Sequence, residues 1–271
     1  MIYPGTGKTT PGMLHAKLLD NGQSTIWILP LSSMHEQYRT RCREQDVTCG
    51  TWDYDMSASS PPIHILVTIE TTDSDKFHQF VIELIVNGQL SRTIVDEAHL
   101  VLLHGLFRPV MKTLQWVGQS GIQIVLQTAT MPPSLEERMF HAFGLTTYRV
   151  CRTRTCRPNI SYHVRRVDNI HQELFELHQK LLAEFPTDSI LIFCRSQAQT
   201  EHVAKSLGLL CCHAGMTKSE VDLVLSRFRS GEVRTVAATS LLGVALDIPS
   251  VMRTIHLDYP HNAMGFIQET G

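Results

Sequence analysis

The sequence predicts an α/β protein made of mainly parallel sheets with helices on both faces. Three observations carry that expectation. Short apolar runs alternate with longer amphipathic ones, the order of a parallel sheet and its crossover helices. The short runs are rich in β-branched residues and show little polar alternation, as expected of strands buried on both faces. The longer runs repeat apolar residues at three- and four-residue steps, the helical period.

In chain order, strands are expected at Ser24 to Leu29 (STIWIL), Ile63 to Thr68 (IHILVT), Thr93 to Val95 (TIV) and Ile122 to Thr128 (IQIVLQT). Three more follow at Ser189 to Cys194 (SILIFC), Arg234 to Thr239 (RTVAAT) and Arg253 to Leu257 (RTIHL). Helices are expected over Gln172 to Glu184 and Ser219 to Arg229. Between the two groups of strands, Arg149 to Arg166 breaks the rhythm with six Arg, one Pro and no long apolar run. We expect this stretch to join two lobes, 1–155 and 156–271. Its arginines suit a solvated linker, phosphate contacts or lobe–lobe ion pairs, and composition alone does not choose.

Bulk properties narrow the class. The chain has 271 residues, enough for two domains of ordinary size. It is 43% hydrophobic and 18% charged, which suits a folded globular protein. No apolar run approaches the ~20 residues of a membrane span, so no membrane partner is expected. A net charge of −2 argues against a generally basic nucleic-acid binder but leaves room for a local basic groove. The seven Cys form no C-x-x-C pair, so no zinc site or disulfide framework is expected and reduced thiols are the default.

Two motifs carry the chemistry. Gly5-Thr6-Gly7-Lys8-Thr9-Thr10 is the short form of a phosphate loop. Glycines let backbone N–H groups curl around an anion, and the helix that follows points its positive end at the same place. Lys8 adds charge at the β/γ phosphates, and the Thr9 hydroxyl is a ligand for Mg²⁺. The strict pattern wants Gly at position 2, where this chain has Ile2, and only Met1 to Tyr3 precede Pro4 as a supporting strand. The second motif is Thr93-Ile94-Val95-Asp96-Glu97-Ala98-His99. Three apolar residues lead to two carboxylates, which places Asp96 and Glu97 at the edge of a parallel sheet where ligands bind. Asp96 can hold Mg²⁺ through water, and Glu97 can orient or deprotonate a water nucleophile.

With both motifs present, the chain resembles the superfamily 2 helicases, and within them the RecQ type. Pro30-Leu31 and Val67-Thr68-Ile69-Glu70 resemble motifs that grip a nucleic-acid backbone, with Ile69 where Pro is usual. Thr128-Ala129-Thr130 resembles the motif linking hydrolysis to unwinding, with His99 as a reporter of nucleotide state. Arg157-Pro158-Asn159-Ile160 with Tyr162, Phe193-Cys194-Arg195-Ser196 and His213-Ala214-Gly215 are similar to RecQ runs in the second lobe. Ala238-Thr239-Ser240, with Gly243, Asp247 and Pro249, is similar to the motif that senses ATP and DNA. Gln268-Glu269-Thr270-Gly271 looks like the start of the last motif, whose arginines would follow.

The resemblance implies two tandem RecA-like lobes that hold ATP and Mg²⁺ in the cleft between them, in a nuclear enzyme stepping 3′ to 5′ on DNA. Lys8, Asp96, Glu97 and Gln268 would be catalytic. Gly5, Thr6, Gly7, Lys8, Thr9, Thr10, Gly243 and Asp247 would bind nucleotide, with Thr9 and Asp96 on the metal. Pro30, Ser32, Thr68, Arg108, Arg195, Ser196 and Thr239 would contact single-stranded or partly duplex DNA, and His99, Thr128 and Thr130 would couple the two events. Each polar DNA candidate also follows a strand and precedes a helix, where a cap or turn is the alternative role. The loop Leu100 to Arg108 lacks the Trp usual in the family, Ala245 stands where Gly is usual, and Val221 where Arg is usual. A core trimmed at both ends is the expectation, with two alternatives open: a remnant that binds ATP or nucleic acid without turnover, and an RNA-acting helicase.

Overall fold

The computed structural model describes residues 9–18, 22–32, 34–104, 114–152, 157–239, 251–260 and 262–270, with the backbone alone for 15–18, 103 and 104. The chain divides into two compact units, Met1–Thr155 and Cys156–Gly271. Each is built on an all-parallel sheet flanked by helices. Among the described residues, no helix is long and apolar enough to cross a membrane.

The first unit runs α1 (Thr9–Leu18), β1 (Ser24–Leu29), α2 (Met34–Glu44), β2 (Cys49–Thr51), β3 (His64–Thr68), α3 (Asp75–Val86), β4 (Leu90–Val95), α4 (Leu100–His104), α5 (Gln115–Gln119), β5 (Gln123–Leu126) and α6 (Glu136–Ala142). Its five strands lie in the order β2-β3-β1-β4-β5. β1, in the middle, is buried at all six positions, and β5 at the rim is not. Little alternation is thus a property of the central strands, covered on both faces. The Cys49–Thr51 strand was not expected from its sequence: it has three residues, and pairing with β3 holds it.

α1 lies hard against this sheet. A Cβ on Gly12 would come within 2.7 Å of Trp27 Cη2 and 2.8 Å of Ile94 Cδ1. Only glycine lets the helix approach β1 and β4 so closely. Met13, Trp27, Leu29, Tyr38, Leu66 and Ile94 form the core beneath it.

Within that core the Trp27 indole N–H donates to His64 Nδ1 at 3.0 Å. His64 is fully buried, and burial lowers its pKa from 6.5 to about 4. The neutral ring is therefore bound into the folded state. The stability it contributes is complete above pH ~6.5 and is lost as pH falls towards 4. At about 1.4 kcal/mol per pH unit, the loss approaches about 3 kcal/mol. Urea unfolding measured from pH 7 to pH 4 should show this slope in the native chain and a shallower one in His64→Asn. Equal slopes would remove His64 as the cause.

The second unit runs α7 (Ile170–Glu184), β6 (Ser189–Phe193), α8 (Gln197–Leu207), β7 (Leu210–Cys212), α9 (Lys218–Arg229), β8 (Thr235–Ala238), β9 (Val251–His256) and a last helix, Ala263–Glu269. Its strand order is β7-β8-β6-β9. Phe228, fully buried, centres one core with Leu191, Phe193, Cys212, Val236 and Ala238. α9 opens with a full capping box, in which the Thr217 hydroxyl accepts from the Glu220 N–H and the Glu220 carboxylate accepts from the Thr217 N–H. The described cysteines are all free thiols. Burial pushes Cys194 and Cys212 up to about 11, which leaves them as unreactive packing groups.

Candidate nucleotide and nucleic-acid sites

In a parallel sheet every strand ends on the same edge, and the sequence motifs of the first unit follow those ends. Pro30 follows β1, Thr68 ends β3, Asp96 follows β4 and Thr128 follows β5. Of the phosphate-loop candidates, Gly5, Thr6, Gly7 and Lys8 lie outside the described residues. Thr9, buried, and Thr10, exposed, open α1.

Asp96 is 6% exposed, and both its oxygens are engaged. Oδ1 accepts the Glu97 N–H at 2.9 Å. Oδ2 accepts the Tyr38 hydroxyl at 2.6 Å, a short charge-assisted bond. Burial and the neighbouring Asp96 charge push the Tyr38 phenol well above its usual range, while a hydrogen bond from the Thr9 side chain opposes them. Asp96, just past β4, thus meets the Tyr38 hydroxyl, and Thr9 at the start of α1 acts on the same phenol. Both are hard oxygen donors. Mg²⁺ takes one or two protein oxygens of this kind and completes its shell with phosphate and water, so the pair fits that ion.

Glu97 turns the chain off the strand with φ at 48°, a left-handed conformation that costs a non-glycine residue about 1–3 kcal/mol. Such strain persists where the surroundings fix it. Glu97 Oε2 sits 3.3 Å from His99 Nδ1, and the same nitrogen sits 2.9 Å from the Thr128 hydroxyl. Thr128 Oγ1 also accepts the Thr130 N–H at 3.3 Å. His99 is completely buried. One imidazole nitrogen therefore faces both the acidic motif and the Thr-Ala-Thr motif, and an Nδ1 proton can favour either acceptor with little ring movement.

The other candidates divide. Thr68 Oγ1 accepts the Thr71 N–H at 3.3 Å and opens a short turn. Ser196 caps α8, its hydroxyl accepting from the Gln199 N–H at 3.1 Å. Both therefore fill the cap or turn role that the sequence left open. Pro30 is buried, while Ser32 and Arg195 are exposed. The Arg195 N–H donates to Gln199 Oε1. The Thr239 N–H donates to the Cys212 carbonyl, which fixes it at the sheet edge. Arg108, Gly243 and Asp247 lie outside the described residues. Gln268 is half-buried on the last helix. Arg157 holds the end of that helix by donating to the Ile267 carbonyl at 3.3 Å and the Thr270 hydroxyl at 3.0 Å. His256 Nε2 lies 3.0 Å from Glu269 Oε2 on the same helix.

Sequence reasoning missed Tyr38. Met34, Tyr38 and Cys42 recur every four residues on the buried face of α2, so Tyr38 reads as core. The one available signal was a hydroxyl on an otherwise apolar stripe, which needs a partner when buried.

Comparison with known proteins gives this arrangement its context. The helicase conserved C-terminal domain family matches residues 173–271. The ATP-dependent helicase SGS1 of Saccharomyces cerevisiae is 27% identical over 73% of the chain and 14% of its own length. The RecQ-like DNA helicase blm-1 of Caenorhabditis elegans is 25% identical over 100% of the chain and 30% of its own length. The chain therefore spans well under half of these relatives. A solved structure of S. cerevisiae Dbp5 L327V bound to RNA and ADP BeF3 shares the fold with a TM-score of 0.73 at 18% identity, covering 100% of the chain and 74% of that structure. The matched C-terminal helicase domain and the RecQ-type relatives support a superfamily 2 helicase core of the RecQ-like kind, and each unit carries the parallel sheet that such a core needs.

Proposed function

We propose that this core belongs to an ATP-dependent 3′–5′ DNA helicase that couples ATP hydrolysis to stepping along single-stranded DNA and to duplex unwinding in the nucleus. The observation that supports this reading most is the buried Asp96 carboxylate held by the Tyr38 hydroxyl, with Glu97 beside it tied towards Thr128 through His99. Thr9 and Asp96 would hold Mg²⁺, and Lys8 with Gly5, Thr6 and Gly7 would bind the phosphates. Bound Mg²⁺ neutralises charge that develops on the phosphates during transfer. Glu97 accepts the proton of the water nucleophile, and its strained backbone fixes where the carboxylate points. His99 and Thr128 carry the change in Glu97 to the edge where Pro30, Ser32 and Thr68 meet the nucleic-acid backbone.

The test is ATP binding and turnover with and without single-stranded DNA, in the native chain and in Lys8→Ala. Lys8→Ala should reduce ATP affinity to background, because a phosphate-bound ammonium is lost from a site of several converging charges. Equal affinity in the variant would refute the role of Lys8. Stimulation by RNA in place of DNA would move the reading to an RNA helicase. ATP binding without turnover would leave a nucleotide-binding remnant.

A further inference from the structure

Tyr38 lies in the interior of the first unit, on the middle of α2, and is 1% exposed. Its ring meets Trp27 edge-on, with centroids 5.2 Å apart and planes at 66°. Packed in this way, the ring cannot swing aside. Its hydroxyl nonetheless reaches Asp96, one of the two residues assigned to Mg²⁺.

A phenol has one proton to give. The 2.6 Å contact commits that proton to Asp96 Oδ2, since an ionised carboxylate can only accept. That bond aims one carboxylate oxygen of the acidic motif from within the core, through a ring that packing holds in place. Oδ2 is held by Tyr38 and Oδ1 by the Glu97 N–H, so the carboxylate plane is fixed.

We propose that Tyr38 is a positioning residue of the metal site, giving its proton to Asp96 so that the carboxylate is preset for Mg²⁺. This rests on the reading of Thr9 and Asp96 as metal ligands. Tyr38 touches neither the metal nor the nucleotide. Its effect should appear in how strongly Mg²⁺ tightens nucleotide binding.

The experiment is a titration of ADP affinity against Mg²⁺, with an EDTA arm, in the native chain, Tyr38→Phe and Tyr38→His. Tyr38→Phe keeps the ring in the core and removes only the hydroxyl. Partners that orient metal ligands are worth about 10–100-fold in metal affinity. Tyr38→Phe should therefore need about tenfold more Mg²⁺ for half its effect, with affinity in EDTA unchanged within about twofold. Tyr38→His, a ring with both donor and acceptor nitrogens, should regain part of the difference. Equal Mg²⁺ requirements in the native chain and Tyr38→Phe overturn the proposal. So does a loss of affinity that is the same with Mg²⁺ and with EDTA, or a Tyr38→Phe chain that fails to fold while Tyr38→His folds with the native Mg²⁺ requirement, because either makes Tyr38 a packing residue. Failure of the native chain to bind ADP in either arm overturns the nucleotide-site reading itself, and this inference with it.

Discussion

Glu97→Gln should slow ATP hydrolysis by about 10²–10⁴-fold, the usual contribution of a positioned general base, while ATP affinity stays within a few-fold of native. The substitution keeps the length and shape of the side chain. It also keeps an oxygen that can face His99, 3.3 Å from the present Oε2. Only the capacity to take a proton is removed. Equilibrium binding beside single-turnover hydrolysis separates the two quantities. Native turnover in the variant would place the base elsewhere. Lost binding would mean that Glu97 holds the nucleotide rather than activating water. Asp96→Asn is a different change, because the Tyr38 proton would then meet a neutral amide and the metal pair would lose its charge.

The second large effect is structural. Phe228→Ala removes a fully buried ring from the last turn of α9, where it packs on β6, β7 and β8. Such truncations cost about 3–5 kcal/mol, combining the lost transfer energy with an unfilled cavity. Whole domains are stable by only about 5–15 kcal/mol. The second unit should therefore melt on the order of 10 °C lower, and amides of β6 and β8 should exchange hydrogen faster. Hydrogen exchange read along residues 189–238 checks this directly. Native protection there would show that the cavity closes by repacking.

Some of this was legible in the sequence, and the physical reasons differ by element. β1 and β6 were legible because strands covered on both faces are continuous apolar runs, STIWIL and SILIF. β2, Cys-Gly-Thr, was not. It has no apolar pattern of its own and exists because β3 offers it a ladder. The strand ahead of the acidic motif was expected from Thr93 but begins at Leu90, since half-buried Ser91 and Arg92 at its start hide the pattern. At the candidate site Asp96 and Glu97 drew notice only together with the Gly5-Thr6-Gly7-Lys8-Thr9 run, because a lone carboxylate pair after an apolar run is usually a solvated strand end. Ser196 and Thr68 carried the right residue types, but a hydroxyl after a strand serves a cap equally well, and only geometry could separate the roles. Tyr38 was invisible because its position in the helical repeat assigns it to the core. It is in the core, and its oxygen alone leaves it.

The strand order of the first sheet has a consequence for biosynthesis. β1 is flanked by β3 and β4, so its second neighbour, ending at Val95, is made more than sixty residues after Leu29. At about 5–20 residues per second, the nascent chain carries a largely apolar strand with an open edge for several seconds before its second partner is made. Newly made protein is then most exposed to mispairing on the ribosome, and the yield of this unit should track translation speed and holdase supply more closely than it tracks the strength of the finished core.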